Sequence, residues 1–142
     1  MFDISRNDII TLTRGDSALL NLVINLGTVA DPLIYDLGPQ DKLYFGVCEP
    51  KVPFEHAIIK KVYTSVDYDA QEHVLTIKFA PEDTEFLLPG VYYYSIKLHR
   101  PATTTTAYRP TEENPEILEP YTLTTEEAVD TIINRRKFII ID

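Results

Sequence analysis

The chain has 142 residues, a net charge of −9 and a hydrophobic share of 44%. These values predict one soluble domain with a sizeable core and exclude a disordered chain. The acidic surplus would be repelled by nucleic-acid phosphates and by anionic lipid, so we expect neither nucleic acid nor a membrane as a partner.

Short β-rich runs separated by turn residues recur along the chain. The predicted strands are 9–13, 18–26, 42–49, 57–66, 73–79, 91–100 and 130–142. The run at 42–49 is apolar on both faces, which is typical of a strand inside a packed sheet. Residues 81–87 form the one good helix start, because a proline and acidic residues suit a helix N-terminus. The pattern predicts an all-β fold, an immunoglobulin-like antiparallel β-sandwich of about seven or eight strands in one domain (1–142), with a small closed barrel as the rival.

The tetrapeptide Arg14-Gly15-Asp16-Ser17 is the integrin-binding sequence of animal adhesion proteins. Strand patterns flank it on both sides, so the joint is short, and Gly15 suits a backbone conformation that other residues avoid. An integrin ligand needs the motif at the tip of a long exposed loop. We therefore predict a hairpin or a corner between two sheets here, and cell adhesion ranks third among the hypotheses for function.

The sequence contains no constellation that indicates catalysis. We expect His56, His73 and His99 to lie in different strands, and none has a metal-ligating neighbour at suitable spacing. Asp67 and Asp69 resemble the start of a calcium loop but lack the glycine and the later glutamate, so a hairpin tip is favoured. We expect no enzyme activity, no catalytic residue, no metal site and no cofactor.

Two features of the sequence bear on the cellular compartment of the protein. Cys48 is the only cysteine, and its neighbours predict a buried strand in which a thiol behaves as a small apolar group. The N-terminal residues MFDISRND lack the basic segment and apolar run of a signal peptide, and no stretch approaches the roughly 18 apolar residues of a membrane span. We expect synthesis in the cytoplasm without a signal peptide.

Two segments interrupt the strand rhythm. Residues 27–41 form a long connection whose apolar centre, LIY, is a candidate edge strand. Residues 101–128 contain four prolines, which we expect to prevent a regular strand ladder, and six glutamates against one arginine. Long connections in compact domains are usually functional or mobile. Three interpretations of 101–128 stay open: a floppy insertion, an extended arm that docks on a neighbouring subunit, and a lid over a small-molecule pocket.

Exposed apolar and aromatic residues are the candidates for partner contacts. In the arm interpretation, the anchors are predicted to be Tyr108, Ile117, Leu118 and Tyr121. The chain has nine tyrosines and no tryptophan, and three of them follow one another at 92–94, so alternate rings must face the core and the outside. Tyr93 is therefore a further candidate for partner binding.

The last apolar run, FIII at 138–141, would favour aggregation if its edge were open. We expect it to be paired internally or against another subunit.

The order of four segments carries a resemblance: TRGDSALLNLVI, KLYFGVCEP, PEDTEFLLPGVYYYSIKL and RRKFIIID. It resembles small β-sandwich virion proteins of tailed phages, above all the N-terminal domain of the baseplate upper protein of phages that infect Gram-positive bacteria. The resemblance covers residues 8–142 except 101–128. Baseplate upper proteins continue into a fibre-bearing region, whereas these residues stop at Asp142.

The resemblance implies a non-enzymatic structural component of the virion, located in the baseplate, tail, neck or head decoration. It implies contacts with other copies of the chain, as a homo-oligomer in the particle, and with other virion proteins. No catalytic residue is implied. The alternative hypothesis is a carbohydrate- or receptor-binding β-sandwich that uses tyrosine rings as sugar platforms.

Overall fold

The computed structural model describes residues 2–4, 8–28 and 30–142, which form mainly β-strands. In chain order the elements are β1 (Phe2–Ile4), β2 (Ile10–Thr13), β3 (Ala18–Leu22), β4 (Lys42–Cys48), β5 (Ile59–Tyr63), β6 (Tyr68–Asp69), β7 (Val74–Phe79), α1 (Pro81–Thr84), β8 (Gly90–Arg100), β9 (Thr103–Pro110), β10 (Leu118–Thr125) and β11 (Ala128–Ile141). The all-β class is confirmed. In the described part of the chain, no helix has the length and apolar character that a membrane span requires.

The strands form two sheets and a separate hairpin. The larger sheet has the order β1-β2-β11-β8-β4-β5, the smaller one β3-β7-β6, and β9 pairs with β10. Strand β2 runs parallel to β11, with Phe138 beside Ile10, so the expectation of a purely antiparallel arrangement was wrong. The reason is the path of the chain. Because it leaves β2 for the smaller sheet, the position beside β2 is filled by the last strand, which runs in the same direction.

The two sheets share one hydrophobic core. Phe79 of β7 packs against Phe45 of β4 and Phe138 of β11, with ring centroids 5.5 and 5.6 Å apart. Alternate residues of both sheets are buried in the same cluster, as the period-2 pattern predicts. The terminal run at 138–141 lies between β2 and β8, which confirms that its edges are paired internally.

Strand β4 is covered on both faces, as its sequence predicts. Phe45 and Val47 face the core, while Gly46 lies so close to the Phe54 ring that a Cβ atom there would stand 2.7 Å from it. Cys48 is buried on the same outer side, 3.6 Å from the carbonyl oxygen of Pro53. Burial raises the pKa of this thiol.

The Arg14-Gly15-Asp16 segment is the corner between the two sheets. Gly15 has a φ of 80°, and its N–H donates to Oγ1 of the fully buried Thr84 over 2.9 Å. The Arg14 guanidinium lies 2.8 Å from the carboxylate of Asp142. The predicted corner is confirmed, and the motif is held in place by the end of β11 and by α1.

Other local expectations had mixed outcomes. The hairpin tip at 67–72 is confirmed: Asp69 Oδ1 accepts from the backbone N–H groups of Gln71 and Glu72. The candidate edge strand in 27–41 was wrong, since only an isolated bridge between Asn25 and Ile34 forms there. The placement of the histidines was also wrong. His56 ends a short 3-10 helix (Phe54–His56), His73 lies in a turn, and only His99 lies in a strand.

Candidate partner-contact surfaces

Residues 103–125 form a long β-hairpin, called the hairpin below. Its ladder runs without a register shift from the pair Thr103–Thr125 to the pair Pro110–Leu118. Each eight-residue strand extends over about 26 Å. The segment is therefore not an irregular insertion, and the expectation that its prolines prevent a ladder was wrong.

The prolines are tolerated because of their position in the ladder. The Thr111 N–H donates to the Ile117 carbonyl next to the end of the ladder. Since hydrogen-bonded and non-hydrogen-bonded pairs alternate along an antiparallel ladder, the odd-numbered residues of β9 are the ones that bond to β10. Pro110 and Pro120 fall in the alternate set, where the backbone nitrogen points away from the partner strand. In a two-stranded ribbon that side has no further strand to pair with, so the missing N–H costs little.

The hairpin leaves the sheet where β8 ends and β11 begins, and polar contacts hold its base. The Arg100 guanidinium donates to Asp130 Oδ2 at 2.6 and 3.0 Å and lies 5.5 Å from the Tyr35 ring centroid. The Tyr35 hydroxyl in turn donates to Asp41. Burial, together with this bond to a carboxylate, raises the pKa of Tyr35 to about 12. The base is thus fixed, while the hairpin strands contact mainly each other.

The two faces of the hairpin differ in chemistry. Directly paired residues share a face. One face, called the uncharged face below, consists of Thr104, Thr106, Tyr108, Pro110, Leu118, Pro120, Thr122 and Thr124. All of them are exposed, including Tyr108 at 65% and Leu118 at 60%.

The opposite face contains an ion pair. Arg109 Nε lies 3.2 Å from Glu119 Oε1, and the Arg109 guanidinium lies 5.0 Å from the Tyr121 ring centroid. The structure therefore brings two of the predicted anchors, Tyr108 and Leu118, together on one face and puts Tyr121 on the other.

The end of the hairpin, residues 111–117, is an ordered turn called the acidic tip below. Thr111 Oγ1 donates to the Asn114 carbonyl at 2.6 Å, and Asn114 Oδ1 accepts from the Glu116 N–H at 3.1 Å. The turn exposes three glutamates, at 112, 113 and 116, next to Ile117, the remaining predicted anchor, which is 56% exposed. The tip therefore combines concentrated negative charge with an apolar side chain.

Tyr93 lies far from the hairpin, in a second surface feature. It lines an open cleft of about 620 Å³, called the basic cleft below, with Pro50, Lys51, Val52, Pro53 and Arg135. The Arg135 guanidinium lies 5.3 Å from the Tyr93 ring centroid and donates to the Val52 carbonyl at 3.0 Å. The one predicted contact residue outside the arm is thus part of a cationic, partly apolar depression.

Both cations of the basic cleft have a backbone conformation that is costly for residues other than glycine. Lys51 has a φ of 65° and Arg135 a φ of 47°. Arg135 follows a register irregularity between β11 and β8, and its N–H donates to Oγ of the buried Ser95. Bulges of this kind redirect side chains, and left-handed conformations of such residues cluster at functional positions. The fold therefore holds the side chains of Lys51 and Arg135 at this cleft although their backbone conformations are unfavourable.

More positive charge surrounds the cleft on the outer face of the larger sheet. Lys60, Lys97 and Arg135 each lie close enough to Cys48 to lower the pKa of its thiol, against an opposing effect from Glu55. Lys137 pairs with Tyr93 across the β8–β11 ladder. Sequence reasoning missed this grouping because the cations come from four separate stretches of the chain. The signals in the sequence are the Lys60-Lys61 pair and the Arg-Arg-Lys run at 135–137, and both are typical of ordinary strand-surface charge.

Comparison of the chain with protein-family models, with curated proteins and with solved structures finds no match. Among residues 2–4, 8–28 and 30–142, no group of three or more histidine, cysteine, aspartate or glutamate side chains is arranged to hold a metal ion. Functional inference therefore rests on the two surfaces described above.

A histidine–carboxylate pair lies apart from both surfaces. His73 Nδ1 is 2.7 Å from Asp36 Oδ1, which also accepts from the Tyr68 hydroxyl at 2.6 Å. The hydrogen bonds from Tyr68 and His73 lower the pKa of Asp36, and the bond to Asp36 raises the pKa of His73. Because ionised Asp36 and protonated His73 are both favoured in the folded state, the pair stabilises the protein at pH values between the lowered pKa of Asp36 and the raised pKa of His73. That contribution is lost as the pH rises through the raised pKa.

We expect Asp36→Asn to lower the pKa of His73 towards its ordinary value, since the substitution removes the negative charge that favours the imidazolium. The measurement is the pH titration of the His73 ring signals by NMR. Tyr68→Phe is the control, because it keeps the carboxylate and should leave the pKa of His73 raised. An unchanged titration in Asp36→Asn would contradict the pairing.

Proposed function

We propose that this protein is a non-enzymatic structural subunit of an assembled particle, and that the hairpin makes its protein–protein contacts. The observation that carries the proposal is the uncharged face, on which every side chain is exposed although the chain as a whole has a charge of −9. Depletion of charge around exposed aromatic and aliphatic residues is the compositional mark of an interface core.

The isolation of the hairpin supports the same proposal. A two-stranded ribbon is marginally stable in water unless a further layer covers it. Among the hairpin side chains that the structure describes, none belongs to the hydrophobic core. A partner seated on the uncharged face would bury Tyr108, Leu118 and the adjoining prolines and supply that missing layer.

For the fold we propose an immunoglobulin-like sandwich of the variable type. Its supports are the pairing of β3, β7 and β6 as strands B, E and D, and of β11, β8, β4 and β5 as G, F, C and C′. The Tyr92 hydroxyl donates to the Leu88 carbonyl at 2.7 Å, like the tyrosine corner of such domains. Tyr94 then occupies the position of the usual second cysteine, and the hairpin is an insertion between F and G.

For the particle we propose the virion of a tailed phage, on the strength of the sequence resemblance. A rigid sandwich with a projecting arm suits repeated contacts in a symmetric ring or lattice, because each copy presents the same arm to its neighbour. A sugar-binding platform is less favoured, since arginine side chains lie over the rings of both Tyr93 and Tyr121, where a sugar would stack.

The experiment is size-exclusion chromatography with light scattering over a wide range of protein concentration. We expect the unaltered chain to form defined oligomers. The variant Tyr108→Ser/Leu118→Ser is expected to raise the dissociation constant for self-association at least about tenfold, because central aromatic and aliphatic anchors dominate interface energies. Leu123→Ser is the matched control. Leu123 is exposed on the opposite face and should be dispensable. A monomer at every concentration would overturn the proposal.

A further inference from the structure

The two surfaces described above have opposite charge within a single chain. The acidic tip exposes three glutamates, while Lys51 and Arg135 line the basic cleft and Lys60, Lys97 and Lys137 surround it. Glu49 and Glu55 are the carboxylates near this cleft, so the local balance remains positive. The sign of this region is opposite to the net charge of the protein, which is −9.

The apolar groups of the two surfaces also correspond. Ile117 and Leu118 are more than half exposed beside the glutamates of the tip. In the cleft, Pro50, Val52, Pro53 and the Tyr93 ring lie between the two cations. An interface with an apolar centre and charges around it is the usual organisation of a specific protein contact. The charged groups and the apolar groups of the tip therefore each have a counterpart in the cleft.

The tip and the cleft lie at opposite ends of strand β8. Tyr93 is near the start of β8, and the hairpin begins after its end at Arg100, about 23 Å away along the strand. Each strand of the hairpin is itself about 26 Å long. No hairpin residue lines the cleft. A contact between tip and cleft therefore has to join two different copies.

Resting on the proposed function, we infer that the basic cleft is the receptor for the acidic tip of a second copy of this chain. The contact is heterologous, because tip and cleft are different surfaces of the same molecule. Each copy offers one tip and one cleft, so repetition of the contact generates a ring if the rotation closes and a filament if it does not. In this contact, Lys51 and Arg135 of the cleft face the carboxylates of the tip.

Charge reversal on either side tests the inference. The tip variant is Glu112→Lys/Glu113→Lys. The cleft variant is Lys51→Asp/Arg135→Asp, chosen because aspartate tolerates a positive φ better than most residues. We expect each variant alone to raise the dissociation constant for self-association at least about tenfold, since like charges then face each other. Lys42→Glu/Lys78→Glu is the control for the cleft variant, with the same change in net charge elsewhere on the surface.

Mixing separates this contact from other arrangements. The tip variant retains an intact cleft and the cleft variant an intact tip, and the lysines of the reversed tip also complement the aspartates of the reversed cleft. An equimolar mixture should therefore associate, although neither variant does so alone. A chain that carries both sets of reversals should self-associate again. Raising the salt concentration should weaken the unaltered contact, because the charges are exposed and become screened. Unfolding curves of every variant verify that each one is folded.

The outcomes are distinguishable from failure of the proposed function. If Tyr108→Ser/Leu118→Ser prevents assembly but the cleft variant assembles like the unaltered chain, the hairpin is a contact and the cleft is not its receptor. The inference is then wrong, whereas the proposed function stands. If the unaltered chain is always a monomer, both are wrong. Association of the mixed variants, when neither variant associates alone, supports both.

Discussion

Replacing Phe79 with alanine is expected to destabilise the protein by about 3–5 kcal/mol, which is a large part of the stability of a typical domain. Phe79 is 2% exposed and contacts Phe2, Phe45 and Phe138, with ring centroids 5.5 to 6.4 Å apart. Its removal leaves a cavity between the two sheets that backbone movement cannot close, because strands on both sides are fixed by their ladders. Chemical denaturation, with a fall in midpoint at constant slope, is the measurement.

The chain supplies a matched control for this substitution. Phe86 is 87% exposed, so Phe86→Ala removes the same side chain without opening a cavity. We expect it to change the free energy of unfolding by no more than about 0.5 kcal/mol. Similar effects of the two substitutions would show that Phe79 does not join the sheets as the structure describes.

Excising the hairpin is expected to abolish self-association and leave the fold intact. In the variant, Asn-Gly replaces residues 103–125 and joins Ala102 to Glu126. No described side chain of the hairpin belongs to the hydrophobic core, and the shorter connection lowers the entropy cost of closing the loop. We therefore expect an unfolding free energy equal to or slightly above that of the full chain, together with a monomer by light scattering at every concentration.

The readouts for the excision are independent of each other. Dispersed amide signals in an NMR spectrum would establish that the remaining residues are folded, and light scattering would report association. A variant that is unfolded or aggregated would show that the hairpin is part of the folding unit. A folded variant that still assembles would locate the contact elsewhere on the domain.

Much of the sandwich follows from the pattern of residues. The rings at 92–94 were predicted to alternate between the core and the outside, and Tyr94 is buried while Tyr93 lines an open cleft, because a strand with one buried face requires a period of two. The corner at Gly15 was predictable from two strand patterns separated by a short joint. Both are local properties, so the neighbouring residues in the sequence are enough to predict them.

The parallel pairing of β2 with β11 was not predictable in the same way. Neither strand carries a signal for its partner, since the pairing depends on the chain having changed sheets at Gly15. Strands β9 and β10 were missed for another reason. Proline argues against a strand on average, but Pro110 and Pro120 occupy ladder positions where no N–H is needed. Only the register reveals this.

The candidate surfaces, too, were predictable only where the signal is local to the sequence. The apolar character of Tyr108 and Leu118 marked them as exposed anchors, and the structure leaves both exposed. That Tyr121 lies on the other face follows from register alone. The basic cleft depends on Lys51 and Arg135 meeting across the fold, and the positive φ of each is invisible in the sequence.

The position of β11 has a consequence for the order of folding. This strand lies between β2 and β8, so the larger sheet has two unpaired internal edges until residues 128–141 have left the ribosome. Contacts between strands so distant in sequence require closure of a long loop, which slows folding to the millisecond-to-second range. A nascent chain that stops before β11 would therefore expose β2 and β8 together, in a form open to aggregation and to chaperones.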